Sequence, residues 1–179
     1  MATIPTGIIG VLFSDMFSAM YLSLATIGCG FIITGVIMFA AERFGRNKKG
    51  VGEMKFGLAF FIGLCQGVAI CPGISRSGAT LFGGLIGGLD RKTAIKFAFL
   101  ISIPSILGSA VMEAPNAFRE WSGTMSAFPL ILGVVVSAVS GFIAIKTMIR
   151  VVTNKKLFYF SIYTWILGLA VLVYRFILS

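Results

Sequence analysis

A short polar sequence, Pro72–Thr80, interrupts an apolar stretch that runs from Phe56 to Leu89. The arm after the interruption, Ala79–Leu89, would make about 17 Å of helix at roughly 1.5 Å per residue, whereas the hydrocarbon core of a bilayer is about 30 Å thick. Two full crossings are therefore excluded by length. We expect the segment to enter the membrane, turn at its glycine-rich tip and leave on the side where it entered.

The composition is that of an integral membrane protein. Hydrophobic residues make up 58% of the chain and charged residues 12%, whereas a soluble domain carries about 25% charged residues. We interpret the short apolar stretch Thr3–Phe13 as the end of a helix whose beginning is missing, in a fragment or a late-starting product. Four segments are long enough to span a membrane: Phe17–Ala41, Thr93–Met112, Phe128–Ile145 and Leu157–Leu178.

The basic residues predict the topology. Most of the 15 Lys and Arg residues fall in three clusters, at positions 43–55, 91–96 and 146–156. If the interrupted segment returns to its starting side, all three clusters lie in the cytoplasm, as the positive-inside rule requires. The net charge of +9 is then explained without a nucleic-acid partner. The groups predicted on the opposite side are Asp15, Glu113, Arg119, Glu120 and the C-terminus.

The polar interruption predicts an oxyanion site suited to phosphate. An arginine at membrane depth is unfavourable unless it faces protein, water or an anion, and the apolar spans offer no acidic partner for Arg76. Its planar guanidinium suits bidentate contacts to phosphate. The hydroxyls of Ser75, Ser77 and Thr80 can donate further hydrogen bonds.

The backbone of the motif favours the same ligand. Gly73 and Gly78 free the chain to turn, and a half-helix starting near Ser77–Ala79 would direct its N–H groups towards an anion. Two alternatives stay open here: Ser77 is only a helix cap, and Ser75 only satisfies loop backbone. Gln66, upstream, either extends the polar lining or makes a helix–helix hydrogen bond. Similar Ile-Pro-(Thr/Ser) sequences at Pro5 and Pro104 are interpreted as unrelated helix kinks.

The residues alone do not predict catalytic machinery. Histidine is absent and the three cysteines lie in apolar stretches, so we predict neither a zinc site nor a disulfide framework. All six acidic residues lie at the edges of apolar segments. Hydrolysis of a diphosphate usually needs a metal ion and an activated nucleophile, and no metal ligands are predicted in this chain.

The sequence from Pro72 to Thr80 closely resembles the second signature motif of the undecaprenyl-diphosphate phosphatase family, the bacitracin-resistance proteins. Matching stretches elsewhere are Gln66, Gly83-Gly84, Thr3-Ile4-Pro5, Ala41-Glu42 and Ala144-Ile145-Lys146. The resemblance implies an all-α polytopic membrane protein with a re-entrant helical hairpin, the second half of an inverted-repeat architecture. In one domain, 1–179, positions 1–41 would end the first repeat, 55–90 form the hairpin with its phosphate-binding tip, and 93–178 contribute three transmembrane helices.

The family likeness also implies a function. Members are hydrolases of the bacterial inner membrane that remove a phosphate from undecaprenyl diphosphate, which recycles the carrier lipid for cell-wall synthesis and confers bacitracin resistance. Ser75 and Arg76 would engage the diphosphate with support from Thr80, as catalytic residues. Substrate binding would also involve Gly73, Ser77, Gly78 and Gln66. The implied cofactor is magnesium or calcium, the implied partners are a polyprenyl diphosphate lipid and the bilayer, and a homodimer stays open.

The chain departs from the family pattern at one place. Members carry an earlier motif, rich in glutamate and ending in a serine-serine-threonine-x-histidine-like stretch, which is thought to bring metal ligands and the nucleophile or base. That motif has no counterpart in this sequence. Two alternatives therefore remain: a lipid-phosphate transporter or flippase that uses the hairpin without hydrolysis, and a catalytically incomplete chain that acts with a partner.

Overall fold

The computed structural model describes residues 2–45, 49–120, 127–154 and 157–178. Within these ranges the chain is built from α-helices and one short 3-10 turn at Val51–Glu53, which confirms the predicted all-α class. The helices are α1 (Thr3–Leu12), α2 (Ser14–Tyr21), α3 (Leu24–Phe44), α4 (Phe56–Val68), α5 (Arg76–Ile86), α6 (Arg91–Glu120), α7 (Ala127–Thr153) and α8 (Leu157–Leu178).

Four of these helices are long and apolar enough to cross a membrane, as a multi-pass protein requires. The predicted first span, Phe17–Ala41, was wrong at its start. Ser23 has extended backbone and its side chain accepts a hydrogen bond from the N–H of Thr26, so α3 begins only at Leu24. The third predicted span was too short, because α7 continues to Thr153.

The N-terminal stretch Thr3–Phe13 corresponds to helix α1, and a second helix, α2, follows it before α3. The axes of α1 and α2 differ by 74° across the break at Phe13. Helix α1 packs tightly on α4, since a Cβ added at Gly63 would meet Pro5 Cγ at 2.7 Å. The hydroxyl of Thr6 strengthens this contact by donating a 2.9 Å hydrogen bond to the carbonyl of Gly63.

Helices α4 and α5 form the expected hairpin. The N–H of Lys49, before α4, donates to the carbonyl of Gly88, after α5, and the N–H of Asp90 donates back to Lys49; both bonds are 2.8 Å long. The two ends of the segment therefore lie side by side. A single membrane crossing would have separated them by the thickness of the hydrocarbon core.

The packing places α3 at the centre. On one side α3 meets α8, where Gly35 allows the indole of Trp165 to approach and donate to the carbonyl of Ile32 at 3.2 Å. On the other side it supports α5 of the hairpin. The buried apolar core lies mainly below the hairpin tip and contains Met38, Ala41, Ile62, Leu81, Leu85, Leu89, Ala94, Ile95, Val152 and Leu157.

A cluster of polar contacts holds the helices together at the end where the hairpin opens. The guanidinium of Arg91 makes a two-pronged ion pair with Glu42, with both N–O distances 3.0 Å. Asp90 caps α6 by accepting from the N–H groups of Lys92 and Thr93. The side-chain hydrogen bond from Thr93, followed by these backbone hydrogen bonds, holds the pKa of the Asp90 carboxyl below its usual value.

Some of the residues used in the topology prediction have no described side chain or backbone. The side chains of Arg119 and Glu120 are outside the described residues, and so are positions 46–48 and 155–156 of the basic clusters. The predicted end of the second long span at Met112 was wrong. Helix α6 continues through Pro115 as far as Glu120 and therefore includes Glu113.

Candidate functional site

The tip of the hairpin, residues 69–75, requires glycine at its centre. Gly73 has φ +83°, a conformation that other residues rarely adopt. A Cβ at this position would also meet Gly30 Cα on α3 at 3.0 Å. The reverse holds for Gly30, whose Cβ would meet Gly73 Cα at 2.8 Å. Gly73 was predicted to let the chain turn. Its close packing against Gly30 on α3 was not apparent from the sequence.

Thr34, one turn after Gly30, fixes the tip with its buried hydroxyl. Thr34 Oγ1 donates to the carbonyl of Gly73 and accepts from the N–H of Ser75, in both cases at 2.9 Å. Sequence reasoning missed this residue because a threonine within an apolar span usually bonds back to its own helix. The spacing of a small residue and a hydroxyl four positions apart on α3 was the available signal.

Ser75 is the N-cap of α5. Its backbone is extended and its Oγ accepts from the N–H of Gly78 at 3.2 Å. The alternative in which Ser77 caps the helix was wrong, because the cap is Ser75. The helix begins at Arg76, earlier than predicted. The hydroxyls of Ser75 and Ser77 lie 3.4 Å apart, which allows a hydrogen bond between them.

Thr80 and Gly78 have evident packing roles. The hydroxyl of Thr80 donates within its own helix, towards the carbonyls of Arg76 and Ser77 at 3.0 and 3.1 Å, and the residue is 1% exposed. A Cβ at Gly78 would meet Met38 Sδ at 3.1 Å, so this glycine lets α5 approach α3. Direct contact of Thr80 or Gly78 with substrate stays a prediction.

A cavity of about 470 Å³ lies beside the tip. Helices α1 and α2 form one wall, α6 forms the other, and Ile70 and Arg76 belong to the hairpin side. Of the seven predicted site residues, all of which the structure describes, Arg76 is the one that lines this cavity. The remaining lining residues are Thr3, Thr6, Gly7, Gly10, Val11, Ser14, Phe17, Ser18, Tyr21, Pro104, Ser105, Gly108, Ser109, Met112 and Glu113.

The wall of the cavity that α6 forms was not predicted to be part of the site. Ser105, Ser109 and Glu113 recur every four residues, which places them on one face of the helix. Polar residues at that spacing in an otherwise apolar helix were the signal in the sequence. The prediction placed Glu113 just beyond the end of a span, on the side opposite the basic clusters, and assigned it no role in the site.

Gln66 lies beneath the cavity and is fully buried. Its Nε2 donates to the hydroxyl of Ser105, so the helix–helix alternative describes its contact. Its Oε1 has no hydrogen-bond partner within the described part of the chain. The amide thus connects α4 of the hairpin to the polar face of α6.

Arg76 lines the cavity and has no acidic counter-ion among the residues that the structure describes. Across the described residues the one ion pair is that of Arg91 with Glu42, at the far end of the hairpin. Arg76 is also the first residue of α5, where the helix dipole adds partial positive charge. A partly buried cation with this orientation can bind an oxyanion, because the guanidinium offers a planar fork of N–H donors.

The comparisons with known proteins all indicate the same family. The sequence profile described as "Bacitracin resistance protein BacA" matches residues 1–170. Two proteins named undecaprenyl-diphosphatase, from Alkaliphilus metalliredigens and Carboxydothermus hydrogenoformans, are each 44% identical to this chain. The alignments cover 97% and 96% of this chain but only 63% and 66% of the relatives, so the chain spans less than two thirds of their length.

A third relative has nearly the same extent as this chain. It comes from Methanothermobacter thermautotrophicus, is also named undecaprenyl-diphosphatase, and is 36% identical. Here the alignment covers 95% of this chain and 94% of the relative.

Proposed function

This chain belongs to the bacitracin resistance protein BacA family, and we propose that it hydrolyses undecaprenyl diphosphate to undecaprenyl phosphate and inorganic phosphate. The reaction would recycle a carrier lipid for cell-wall synthesis in the bacterial inner membrane and confer resistance to bacitracin. The names of the relatives support this reaction, including that of the protein from Methanothermobacter thermautotrophicus, which matches the present chain over almost all of its own length.

The observation that carries the proposal is the position of Arg76. Arg76 is the first residue of α5 and lines a cavity of about 470 Å³. A diphosphate placed there would meet a permanent positive charge and the positive end of a helix. Stabilising the charge that develops on phosphate oxygens is the main task of a protein in phosphoryl transfer.

The rest of the cavity suits a lipid diphosphate. Hydroxyl-bearing residues such as Thr3 and Ser14 lie on its walls and can contact phosphate oxygens. Apolar side chains such as Val11 and Met112 also line it and are largely exposed. These would accompany the first isoprene units towards the bilayer. Ser75 and Ser77 would act beside Arg76 at the tip.

The described residues offer few of the ligands that the implied divalent cation would need. No group of three or more His, Cys, Asp or Glu side chains that could hold a metal ion occurs in the part of the chain that is described. Mg²⁺, however, is commonly bound by one or two carboxylates together with substrate phosphates. Glu113 supplies one carboxylate to the cavity. A magnesium or calcium ion there would neutralise phosphate charge.

The test is release of inorganic phosphate from undecaprenyl diphosphate by the purified chain in detergent with Mg²⁺. We expect turnover by the wild type and loss of it in Arg76→Ala, with an unchanged melting temperature. Equal phosphate release by Arg76→Ala would reject the site. Movement of the lipid between leaflets of a vesicle without phosphate release would favour the transporter alternative. Whether the chain forms a homodimer stays a prediction.

A further inference from the structure

Helix α2 lies along one side of the cavity and is held there by little buried surface. Four of its residues line the cavity, at spacings that place them on one face of the helix: Ser14, Phe17, Ser18 and Tyr21. Among the eight residues of α2, all of which are described, Phe17 alone is buried. A segment with so little buried apolar surface separates from its neighbours at a lower free-energy cost than a packed helix does.

Both ends of α2 are breaks in the helical backbone. At its start, Phe13 separates it from α1, and the axes of the two helices differ by 74°. At its end, Leu22 and Ser23 separate it from α3, and Ser23 has extended backbone. Hinge motions are absorbed by a few residues at the ends of such elements. Helix α2 can therefore turn as a unit between its two breaks.

The helices on either side of α2 are anchored independently of it. Helix α1 is held on α4 by the hydrogen bond from Thr6 to the carbonyl of Gly63. The start of α3 is held by α8, since Arg175 Nη1 donates to the hydroxyl of Ser23 at 3.5 Å and a Cβ added at Gly28 would meet Leu172 Cγ at 2.7 Å. A turn of α2 therefore leaves these contacts intact.

One hydrogen bond connects the end of α2 to the tip of the hairpin. The hydroxyl of Tyr21 donates to the carbonyl of Ile70 at 3.4 Å, across the exposed edge of the cavity. Both residues line the cavity, and Ile70 belongs to the same hairpin tip as Arg76. This bond therefore closes the cavity wall between α2 and the hairpin that carries Arg76.

We propose that α2 is a hinged cover of the cavity and that the hydrogen bond from Tyr21 to Ile70 is its latch. The latch is formed in the structure, which is the closed form. Opening breaks this one exposed bond and uncovers Phe17, and it gives a ligand access to Arg76 from the side of α2. That this ligand is a lipid diphosphate rests on the proposed function, whereas the movement of the cover does not.

The test measures the distance between α2 and the hairpin with spin labels. One label is attached at Ala19→Cys, an exposed position of α2 outside the described cavity lining, and the other at Gly57→Cys on α4, where an added Cβ meets open space. The full chain carries alanine in place of its free cysteines, Cys29, Cys65 and Cys71. Pulsed electron paramagnetic resonance then gives the closed and open forms as the populations of two distances.

Removal of the latch should shift these populations. Tyr21→Phe removes the hydroxyl alone, and the ratio of open to closed forms should rise about 2- to 10-fold, the factor that corresponds to the net contribution of one hydrogen bond. Tyr163→Phe on α8 is the matched control, because both tyrosines are 59% exposed, and it should leave the ratio unchanged. A second label pair, Gly7→Cys on α1 with Gly57→Cys, should give one distance in every variant.

Three results would overturn the cover. They are an equal ratio in Tyr21→Phe and the wild type, an equal rise in Tyr163→Phe, and a second distance in the label pair that joins α1 to α4. The distances need neither substrate nor turnover. A chain that shows the expected shift but releases no phosphate from the lipid would reject the hydrolase proposal alone and would support the cover.

Discussion

The side-chain amide of Gln66 on α4 donates a hydrogen bond to the hydroxyl of Ser105 on α6, and this bond joins the hairpin to the wall of the cavity. Gln66 is completely buried, and within the described residues its Oε1 has no partner. Ser105 passes the connection on by donating to the carbonyl of Ile101 at 3.2 Å. This amide therefore helps to hold the polar face of α6 against the hairpin, together with the close packing of Gly84 on Ala94.

Removal of either partner should have unequal effects on stability. Ser105→Ala leaves the whole buried amide of Gln66 unpaired, which should cost about 1–3 kcal/mol. Gln66→Leu removes the amide together with its unpaired oxygen and should cost less than Ser105→Ala. Unfolding followed by circular dichroism in one detergent gives the comparison. A larger loss for Gln66→Leu than for Ser105→Ala would show that Oε1 has a favourable partner.

The tip should depend on the hydroxyl of Thr34. Thr34→Val keeps the shape of the side chain but leaves the carbonyl of Gly73 and the N–H of Ser75 without their 2.9 Å partners. We expect a loss of about 2–6 kcal/mol in the free energy of unfolding, from two unpaired groups at about 1–3 kcal/mol each. Thr34→Ser restores the hydroxyl and should recover most of this stability. Equal stability of the valine and serine variants would contradict the prediction.

The sequence was sufficient to predict the hairpin, and it singled out Arg76, whose role at the site stays a prediction. The arm that ends at Leu89 is too short to cross a bilayer, and a charged group without an acidic neighbour must find another partner. Both inferences rest on length and charge, which need no knowledge of packing. The return of the chain to its starting side then follows, and the contact between Lys49 and Gly88 has that form.

The rest of the site could not be predicted because it depends on which helices pack together. Thr34 contacts the tip only because α3 lies beside α5, and Ser105 and Glu113 face the cavity only because α6 lies opposite α1 and α2. Thr80 is a related case: its hydroxyl was predicted to donate to the anion, and in the structure it donates within its own helix. Spacing in the sequence determines which residues share a face of a helix, but it does not determine which element that face packs against.

Close packing between α3 and the tip should make Gly30 irreplaceable. The Cβ of an alanine there would meet backbone atoms of Gly73 at 2.8 Å, and backbone cannot move aside as a flexible side chain can. We expect Gly30→Ala to lower the melting temperature and to reduce diphosphate binding by displacing the tip. Gly141→Ala on α7 is the control, since its Cβ meets open space and alanine favours a helix by about 1 kcal/mol. Similar melting temperatures for both variants would contradict the proposed packing.

The fork of donors on Arg76 should matter in addition to its charge. Arg76→Lys retains the positive charge at the first position of α5 but cannot make two parallel hydrogen bonds to one phosphate. Affinity for inorganic diphosphate should fall about 10-fold, equivalent to about 1.4 kcal/mol, and less than in Arg76→Ala. Unchanged affinity in Arg76→Lys would indicate a purely electrostatic contact.

Filling the cavity from α6 should block the lipid substrate without affecting the fold. Gly108 lines the cavity, and no atom lies within 4 Å of a Cβ added there, so a larger side chain has room to enter. We expect Gly108→Leu to lower kcat/KM for a polyprenyl diphosphate by about 10-fold or more, since steric exclusion of one buried group amounts to about 1–3 kcal/mol. Gly133→Leu on α7, where an added Cβ also meets open space, adds the same side chain away from the described cavity lining and should leave the rate unchanged. Because the two variants add equal apolar surface to helices of the same kind, a shared loss of activity would point to a membrane effect, whereas a loss confined to Gly108→Leu identifies this cavity as the place where the lipid diphosphate binds.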